Sequence, residues 1–174
     1  MYNNYIGWDN GVTGALAIIR KNNSAEWFKM PVKYELSFQK VEQHINRVDV
    51  VALRAILKGW NITPTDTLIT IERPLLNPMR WKSSISASRC LEATLIVTEE
   101  LGFELDFIDS KQWQRVLLPG IKGSDELKKA SLELGKKLYP NLKLKKDADS
   151  LLIAYWAMNR TALEKPKPKR KKEL

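Results

Sequence analysis

The segment Tyr5-Ile6-Gly7-Trp8-Asp9-Asn10-Gly11, near the start of the 174-residue chain, carries the first fold signal. A short apolar run leads directly into an acid, and Asn-Gly is a dipeptide that tolerates the positive φ angles of a tight turn. Two further apolar runs follow at residues 15–19 and 25–30, separated by turn-forming residues 21–24. This pattern predicts that the chain begins with a meander of three antiparallel strands.

The rest of the chain alternates between helix and strand patterns. Apolar residues from Val41 to Ile56 recur at helical spacing and predict a helix over residues 37–60, and a break near residues 48–50 is compatible with that spacing. A buried-strand pattern covers residues 67–72, and an alternating strand pattern covers residues 103–108. Helical patterns cover residues 83–101, 110–118, 125–138 and 147–160. Strands that alternate with helices favour parallel pairing with helices on both faces. We therefore predict a three-layer α/β/α domain over residues 1–162, built on a five-stranded mixed sheet.

The charge of the chain points to a polyanionic partner. Lys and Arg number 29 against 20 Asp and Glu, which gives a net charge of +9. Residues 165–174 hold six Lys/Arg and one Glu, or +5, so the remaining body carries 9 − 5 = +4. A basic tail alone often serves only solubility, but a basic body as well favours nucleic acid first and an anionic membrane second. No basic amphipathic helix favours the membrane, and residues 163–174 are expected to form a disordered basic tail.

Cysteine usage and hydropathy exclude several other classes. The single cysteine, Cys90, cannot build an internal disulfide framework and fits a reducing compartment, where packing is its expected role. No apolar run is long enough to span a bilayer, and the N-terminus lacks a signal-peptide pattern. The sequence therefore predicts a globular protein that does not insert into a membrane.

Four acids stand out because they adjoin apolar segments. Asp9 and Glu72 each end a predicted core strand, and Asp149 lies on the helix stripe of buried residues that includes Leu152. A carboxylate in such a place needs solvent, a hydrogen bond or a cation. Other interpretations stay open: Asp9 could shape the turn, Glu72 could pair with the next residue, Arg73, and Asp147 could cap the last helix.

Asp9, Glu72 and Asp149 come from distant parts of the chain and could meet at one edge of the sheet. Converging carboxylates repel each other unless a divalent cation neutralises them, and hard oxygen ligands suit Mg²⁺ or Mn²⁺. Two such ions about 4 Å apart could activate a water and stabilise the leaving oxygen in phosphodiester cleavage. The chain has one histidine, His44, expected on a helix surface, so a zinc cluster is not indicated.

Three segments together resemble RuvC-type Holliday junction resolvases. Residues 6–17 (IGWDNGVTGALA) look like the family's opening motif, residues 69–72 (ITIE) its second acidic strand, and residues 147–154 (DADSLLIA) its closing acidic helix. Trp113-Gln114 and Lys128-Lys129 look like elements of the phage-type branch. The resemblance implies an RNase H-like fold, a homodimer without a small-molecule cofactor, and paired incisions in four-way DNA junctions in the cytoplasm of a bacterium or phage-infected host.

The resemblance also implies roles for individual residues. Asp9, Glu72 and Asp149 would hold Mg²⁺ or Mn²⁺, with two ions expected and Asp147 as a fourth ligand. Bacterial members commonly carry a second acid three residues before the last one, where this chain has Lys146, so Asp147 would have to compensate. Basic residues near the scissile phosphate are expected among Lys111, Arg115, Lys122, Lys128 and Lys129.

The loop after Glu72, residues 73–82, mixes cations with apolar side chains. Its expected DNA-binding residues are Arg73, Arg80, Trp81 and Lys82, since such a surface can hold phosphates and stack against unpaired bases. Alternatively, its apolar residues tuck into the core. The small residues that follow, 83–88, could pack across a dimer two-fold or within one subunit.

Three other functions compete with junction resolution. An RNase H-like nuclease could instead cut RNA/DNA hybrids, because fold and metal site do not fix the substrate. Residues 9–14 also match the phosphate-binding turn of the sugar-kinase and actin clan, but those ATP-dependent phosphotransferases need two domains and a second glycine-rich loop. A non-catalytic nucleic-acid binder would not need acids at all three motif positions.

Overall fold

A computed structural model describes residues 2–37, 40 and 43–163 of the chain. Its strands are β1 (Asn4–Asp9), β2 (Ala15–Arg20), β3 (Ala25–Lys29), β4 (Val32–Leu36), β5 (His44–Val48), β6 (Thr67–Glu72) and β7 (Leu105–Ile108). Its α-helices are α1 (Val50–Gly59), α2 (Trp81–Glu100), α3 (Ser110–Leu117), α4 (Ser124–Leu138) and α5 (Asp149–Leu163). Residues 164–174, which make up nearly all of the predicted basic tail, lie outside the described part.

The main sheet has five strands in the order β3-β2-β1-β6-β7. β1 pairs antiparallel with β2, and β2 with β3, so the predicted meander is confirmed. β6 runs parallel to β1 and β7 runs parallel to β6, with helices between them in sequence. The predicted mixed sheet is thus confirmed, with β1 at its centre.

The helix predicted over residues 37–60 is wrong over residues 44–48, which form β5. β5 pairs antiparallel with β4 in a separate hairpin, and among the described residues of this stretch the helix begins only with α1. Residues 38, 39, 41 and 42 of the predicted helix lie outside the described part of the chain. The helix cannot begin earlier because Asp49 caps it, accepting hydrogen bonds from the backbone N–H groups of Val51 and Ala52 at 3.1 Å. His44 is exposed as expected, but it lies in a strand, stacked on Tyr34 with ring centroids 4.6 Å apart.

Helices cover both faces of the sheet, which confirms the three-layer prediction. Side chains alternate along β1, so Tyr5 packs with α3, α4 and α5 on one face, whereas Ile6 and Trp8 pack with α1 and α2 on the other. Cys90 is buried in this second core, in agreement with its predicted packing role. In the described part of the chain, no helix is long and apolar enough to cross a membrane.

Gly7 lets α5 pass unusually close to the central strand. A Cβ atom placed on Gly7 would stand 2.0 Å from the backbone oxygen of Ser150 and 2.3 Å from the nitrogen of Ala154. Any side chain at this position would therefore push α5 away from β1, because the obstacle is helix backbone. The glycine sets the distance between the two elements that carry Asp9 and Asp149.

Gly7→Ala is expected to destabilise the protein by about 3 kcal/mol, since overpacking against fixed backbone lies at the upper end of such costs. Gly59→Ala is the matched control, because a Cβ at Gly59 would meet nothing within 4 Å. Its effect should stay within about 1 kcal/mol. Urea unfolding of both variants measures the difference, and a Gly7→Ala protein as stable as the control would contradict the close approach.

Candidate active site

Asp9 and Glu72 occupy equivalent places on neighbouring strands. The parallel register of β1 and β6 pairs Trp8 with Ile71, and one step further along it Asp9 stands beside Glu72. Adjacent strands lie about 4.8 Å apart, and residues at the same register point to the same face. Both acids alternate with residues that pack against α1 and α2, such as Trp8 and Ile71, so both face α5 on the other side of the sheet.

The start of α5 brings the other two acids to the same end of the sheet. Asp149 is the first residue of the helix and Asp147 lies two residues before it. The backbone N–H of Leu152 donates to the oxygen of Ala148, so helical bonding begins at Ala148 and Asp147 stands one residue too early to be the cap. Because Asp147 lies outside regular helix geometry, it can approach the same site as Asp149.

Burial and repulsion between carboxylates raise the pKa values of Asp9, Glu72 and Asp149 above those of free side chains. Burial, followed by repulsion from Glu72, Asp149 and Asp147, raises the pKa of Asp9 to about 8, although Lys128 opposes the rise. Burial also raises the pKa of Glu72 to about 7, and repulsion from Asp149 and Asp109 adds to it. The pKa of Asp149 rises to about 6, mainly through burial. The acids are therefore close enough to act on one another electrostatically.

A cleft of about 530 Å³ opens over this end of the sheet. Three of the acids, Asp9, Asp147 and Asp149, line it together with four lysines: Lys29, Lys128, Lys145 and Lys146. Sequence reasoning selected only Lys128 from this set. Lys145 and Lys146 directly precede Asp147, so their place in the sequence was a usable signal, whereas nothing in the sequence linked Lys29 to the acids.

The acids that line the cleft offer carboxylate oxygens, which are the ligands that hard divalent cations such as Mg²⁺ prefer. Within the described residues, however, no group of three or more Asp, Glu, His or Cys side chains stands in metal-holding geometry. Asp9, Asp147 and Asp149 line the cleft, whereas Glu72 is not part of its lining. Placing an ion there would require their side chains to rotate towards it.

Two hydrogen bonds from neighbouring helices hold the acids in place. The indole N–H of the buried Trp113 on α3 donates to Oε2 of Glu72 at 2.9 Å, and the hydroxyl of Ser131 on α4 donates to Oδ1 of Asp149 at 2.5 Å. Glu72 therefore pairs with Trp113, whereas Arg73 pairs with Asp109 at 3.2 Å. Trp113 stood out only through the family motif, and no sequence signal marked Ser131.

The expected DNA-binding residues fall into three groups. Lys128 lines the acidic cleft, while its neighbour Lys129 is exposed outside the lining. Lys111, Arg115 and Lys122 share a groove of about 370 Å³ on the outer side of α3. The third group follows Glu72 in the chain and comprises Arg73, Arg80, Trp81 and Lys82.

The apolar residues of this third region are exposed, so the alternative that they tuck into the core is wrong. Leu75 and Met79 are 89% and 92% exposed, and Trp81 is 68% exposed. α2 begins at Trp81, two residues earlier than predicted, which places Trp81 and Lys82 on a helix rather than in a loop. Ser84 is used within the subunit, where its hydroxyl donates to the oxygen of Asn77.

Comparison with known proteins identifies the fold. No protein-family model and no curated protein matches the chain. The RuvC of Thermus thermophilus in complex with Holliday junction substrate is 14% identical with a TM-score of 0.56, and the match covers 94% of this chain and 99% of that one. A second Thermus thermophilus RuvC structure is 16% identical with a TM-score of 0.52 and the same coverage. The Fowlpox virus resolvase with its substrate Holliday junction DNA is 12% identical, has a TM-score of 0.45, and matches over 89% of this chain and 98% of that one. The two Thermus thermophilus matches show that the chain has the RuvC type of RNase H-like fold.

The raised pKa values predict how stability depends on pH when divalent cations are chelated. The folded protein retains protons that the unfolded chain releases above the ordinary Asp pKa of 3.8, so this stabilisation is lost as pH rises from about 4 towards the folded value of about 8 for Asp9. The Tm in chelator should fall by several degrees between pH 5 and pH 8, and Asp9→Asn should reduce the fall without abolishing it, because Glu72 and Asp149 keep raised pKa values. The exposed Glu104→Gln is the control, and an equal pH slope in Asp9→Asn would contradict the electrostatic coupling.

Proposed function

We propose that the protein is a metal-dependent endonuclease that resolves Holliday junctions and other branched DNA. The observation that carries the proposal is the gathering of four acids from β1, β6 and the start of α5 beside a lysine-lined cleft on a RuvC-type fold. Solved structures with this fold include a RuvC bound to Holliday junction substrate. Cleavage of such DNA in the cytoplasm of a bacterium or a phage-infected host stays part of the prediction.

Asp9, Glu72, Asp147 and Asp149 would hold the metal, which we propose to be Mg²⁺ or Mn²⁺, as two ions. When bound, such ions would activate a water and stabilise the leaving oxygen of the cleaved phosphodiester. The raised pKa values of Asp9 and Glu72 support this assignment, because a divalent cation would offset both the burial and the repulsion that oppose their ionisation. Trp113 and Ser131 would keep two of the ligands oriented while the others adjust.

The lysines of the cleft would bind the substrate backbone. Lys128 lies close enough to Asp9 and Asp149 to lower the pKa of both, so its ammonium group can reach a phosphate placed beside those acids. Lys29, Lys145 and Lys146 line the same cleft. The negative charge of the acids would oppose DNA entry, and the lysines of the cleft would offset part of that opposition.

The exposed apolar region after Glu72 supports a branched substrate over a continuous duplex or hybrid. Leu75, Met79 and Trp81 are exposed next to the cations Arg80 and Lys82. Apolar and aromatic side chains in this setting can stack on bases that a junction leaves accessible. A four-way junction also offers two equivalent strands, so paired incision would require two copies of the site, and we propose a homodimer.

The substrate and the metal can be tested in one experiment. The protein is incubated with labelled four-way junction, fork, duplex and RNA/DNA hybrid in Mg²⁺, Mn²⁺ or chelator. We expect paired cuts in the junction only with metal, and we expect Asp9→Asn to lower the rate by at least about 10²-fold while junction binding persists, because the substitution removes one ligand but no phosphate contact. Glu104→Gln serves as the control variant, because Glu104 is exposed and lies before the start of β7, whereas Asp9 and Glu72 lie at the ends of their strands.

Each other outcome is informative. Selective cutting of the RNA/DNA hybrid would replace junction resolution with the second candidate, an RNase H-like hybrid nuclease. Cutting that persists in chelator, or at the normal rate in Asp9→Asn, would overturn the metal site. Binding without cutting under all conditions would leave a nucleic-acid binder.

The groove on α3 is a separate candidate for backbone contacts. Lys111 and Arg115 are four residues apart on the exposed side of the helix, and Trp113 points the other way towards Glu72. Within the described residues, no ion pair engages Lys111, Arg115 or Lys122. Uncompensated cations in one groove suit a row of phosphates, and we propose that a junction arm lies across it.

Substitution of these cations should weaken junction binding and make that binding less sensitive to salt, because fewer phosphates are contacted. Arg115→Ala and Lys122→Ala should each reduce the slope of log affinity against log salt by about 1, as expected for one lost phosphate contact. Lys58→Ala is the matched control, because Lys58 is exposed on α1 at the opposite face of the sheet. Fluorescence anisotropy with labelled junction in chelator measures the slopes. Equal slopes for Lys122→Ala and Lys58→Ala would remove the groove from the DNA path.

A further inference from the structure

Ser131 is a buried hydroxyl that joins α4 to the first acid of α5. Its side chain has no solvent exposure, and it lies on the same stripe of α4 as Lys128 and Gly135, at spacings of three and four residues. Lys128 lines the acidic cleft. At Gly135 an added Cβ would stand 2.4 Å from the Cβ of Ala148, so this glycine lets α4 approach the start of α5 closely. One face of α4 therefore fits against the segment that presents Asp149.

The two hydrogen bonds of Ser131 have a fixed direction. The backbone N–H of Ala148 can only donate, so at 3.1 Å the Ser131 oxygen must accept from it. The single hydroxyl hydrogen is then directed to Oδ1 of Asp149, 2.5 Å away. A carboxylate at that position accepts the hydrogen without competition. One lone pair of Oδ1 is thereby committed to Ser131, and Oδ2 is the less committed oxygen.

Ser131 also hydrogen-bonds Ala148, the residue at which the helical bonding of α5 begins. Ala148 has no side-chain oxygen and cannot cap the helix as Ser, Thr, Asp or Asn would. Ser131 supplies an oxygen from α4 to the Ala148 N–H and, with the same group, orients the first acid of the helix. The position of the helix start and the orientation of Asp149 thus depend on one hydroxyl.

We propose that Ser131 is a positioning residue for Asp149, which sets the metal affinity of the cleft without contacting metal or DNA. The inference rests on the proposed function, since it assigns Asp149 a ligand's role. Groups that orient metal ligands typically affect metal affinity 10- to 100-fold. The neighbouring Ser150 offers a comparison: it is equally buried, but its Oγ has no hydrogen-bond partner within the described residues.

The test measures Mn²⁺ binding to the full-length protein without DNA, by calorimetry or electron paramagnetic resonance. We expect Ser131→Ala to weaken Mn²⁺ binding at least about 10-fold, and Ser150→Ala, which removes the same atom one residue from Asp149, to leave it unchanged. In an Asp149→Asn background the Ser131→Ala substitution should have no further effect, because the group that it orients is already lost. Asp149→Asn alone should also weaken Mn²⁺ binding, and unchanged binding in this variant would overturn the proposal.

The outcomes separate the two proposals. Wild-type protein that binds no Mn²⁺ would overturn the proposed function and this inference with it. If Ser131→Ala lowers the Tm but leaves Mn²⁺ affinity unchanged, the positioning role alone is overturned. The same holds if Ser131→Ala weakens Mn²⁺ binding equally in the wild-type and Asp149→Asn backgrounds. If Ser131→Ala does not fold, Ser131→Cys fills nearly the same space with a much weaker donor. Wild-type affinity in Ser131→Cys would then overturn the proposal, and a weakened one would support it.

Discussion

The close passage of α5 over Gly7 is the constraint on which the site depends. The strand and helix backbones meet where a side chain would occupy the same space as the Ser150 oxygen. This contact holds the start of α5 against the end of β1, so that Asp149 and Asp9 share one cleft. The core behind it, on the other face of the sheet, is apolar and packs α1 and α2. This packing sets the separation of the backbone segments that carry the two acids.

Collecting acids in a buried place costs folding free energy, because burial and then neighbouring carboxylates oppose their ionisation. The cost appears as pKa values of about 8 for Asp9 and about 7 for Glu72. Lysines around the cleft offset part of it, and bound divalent cations would offset more. A site that is unfavourable when empty favours its ligand, which is the physical link between the electrostatics of this fold and the proposed chemistry.

Two helices on the same side of the sheet as α5, namely α3 and α4, each donate one hydrogen bond to an acid. α3 donates the indole N–H of Trp113 to Glu72, and α4 donates the hydroxyl of Ser131 to Asp149. The opposite surfaces of the same helices carry exposed cations such as Arg115 and Lys129. Each helix thus turns one face to the acids and another to solvent, where under the proposed function a DNA backbone would lie. The same short element can serve both roles because its side chains project in all directions around the axis.

The meander, the parallel strands and the acids at their ends were predictable from sequence, because an apolar run that stops at Asp9 or Glu72 is a local pattern. The β4–β5 hairpin was missed because residues near Ile45 also fit helical spacing, and strand pairing with residues 32–36 overrode it. Trp113, Ser131 and Lys29 acquire their roles only through contacts with residues far away in the chain. A serine on a helix has the same local pattern whether or not a carboxylate faces it. The sequence by itself determined which elements form and which acids end them, whereas only the tertiary structure decided what touches those acids, because that depends on how closely the helices pack.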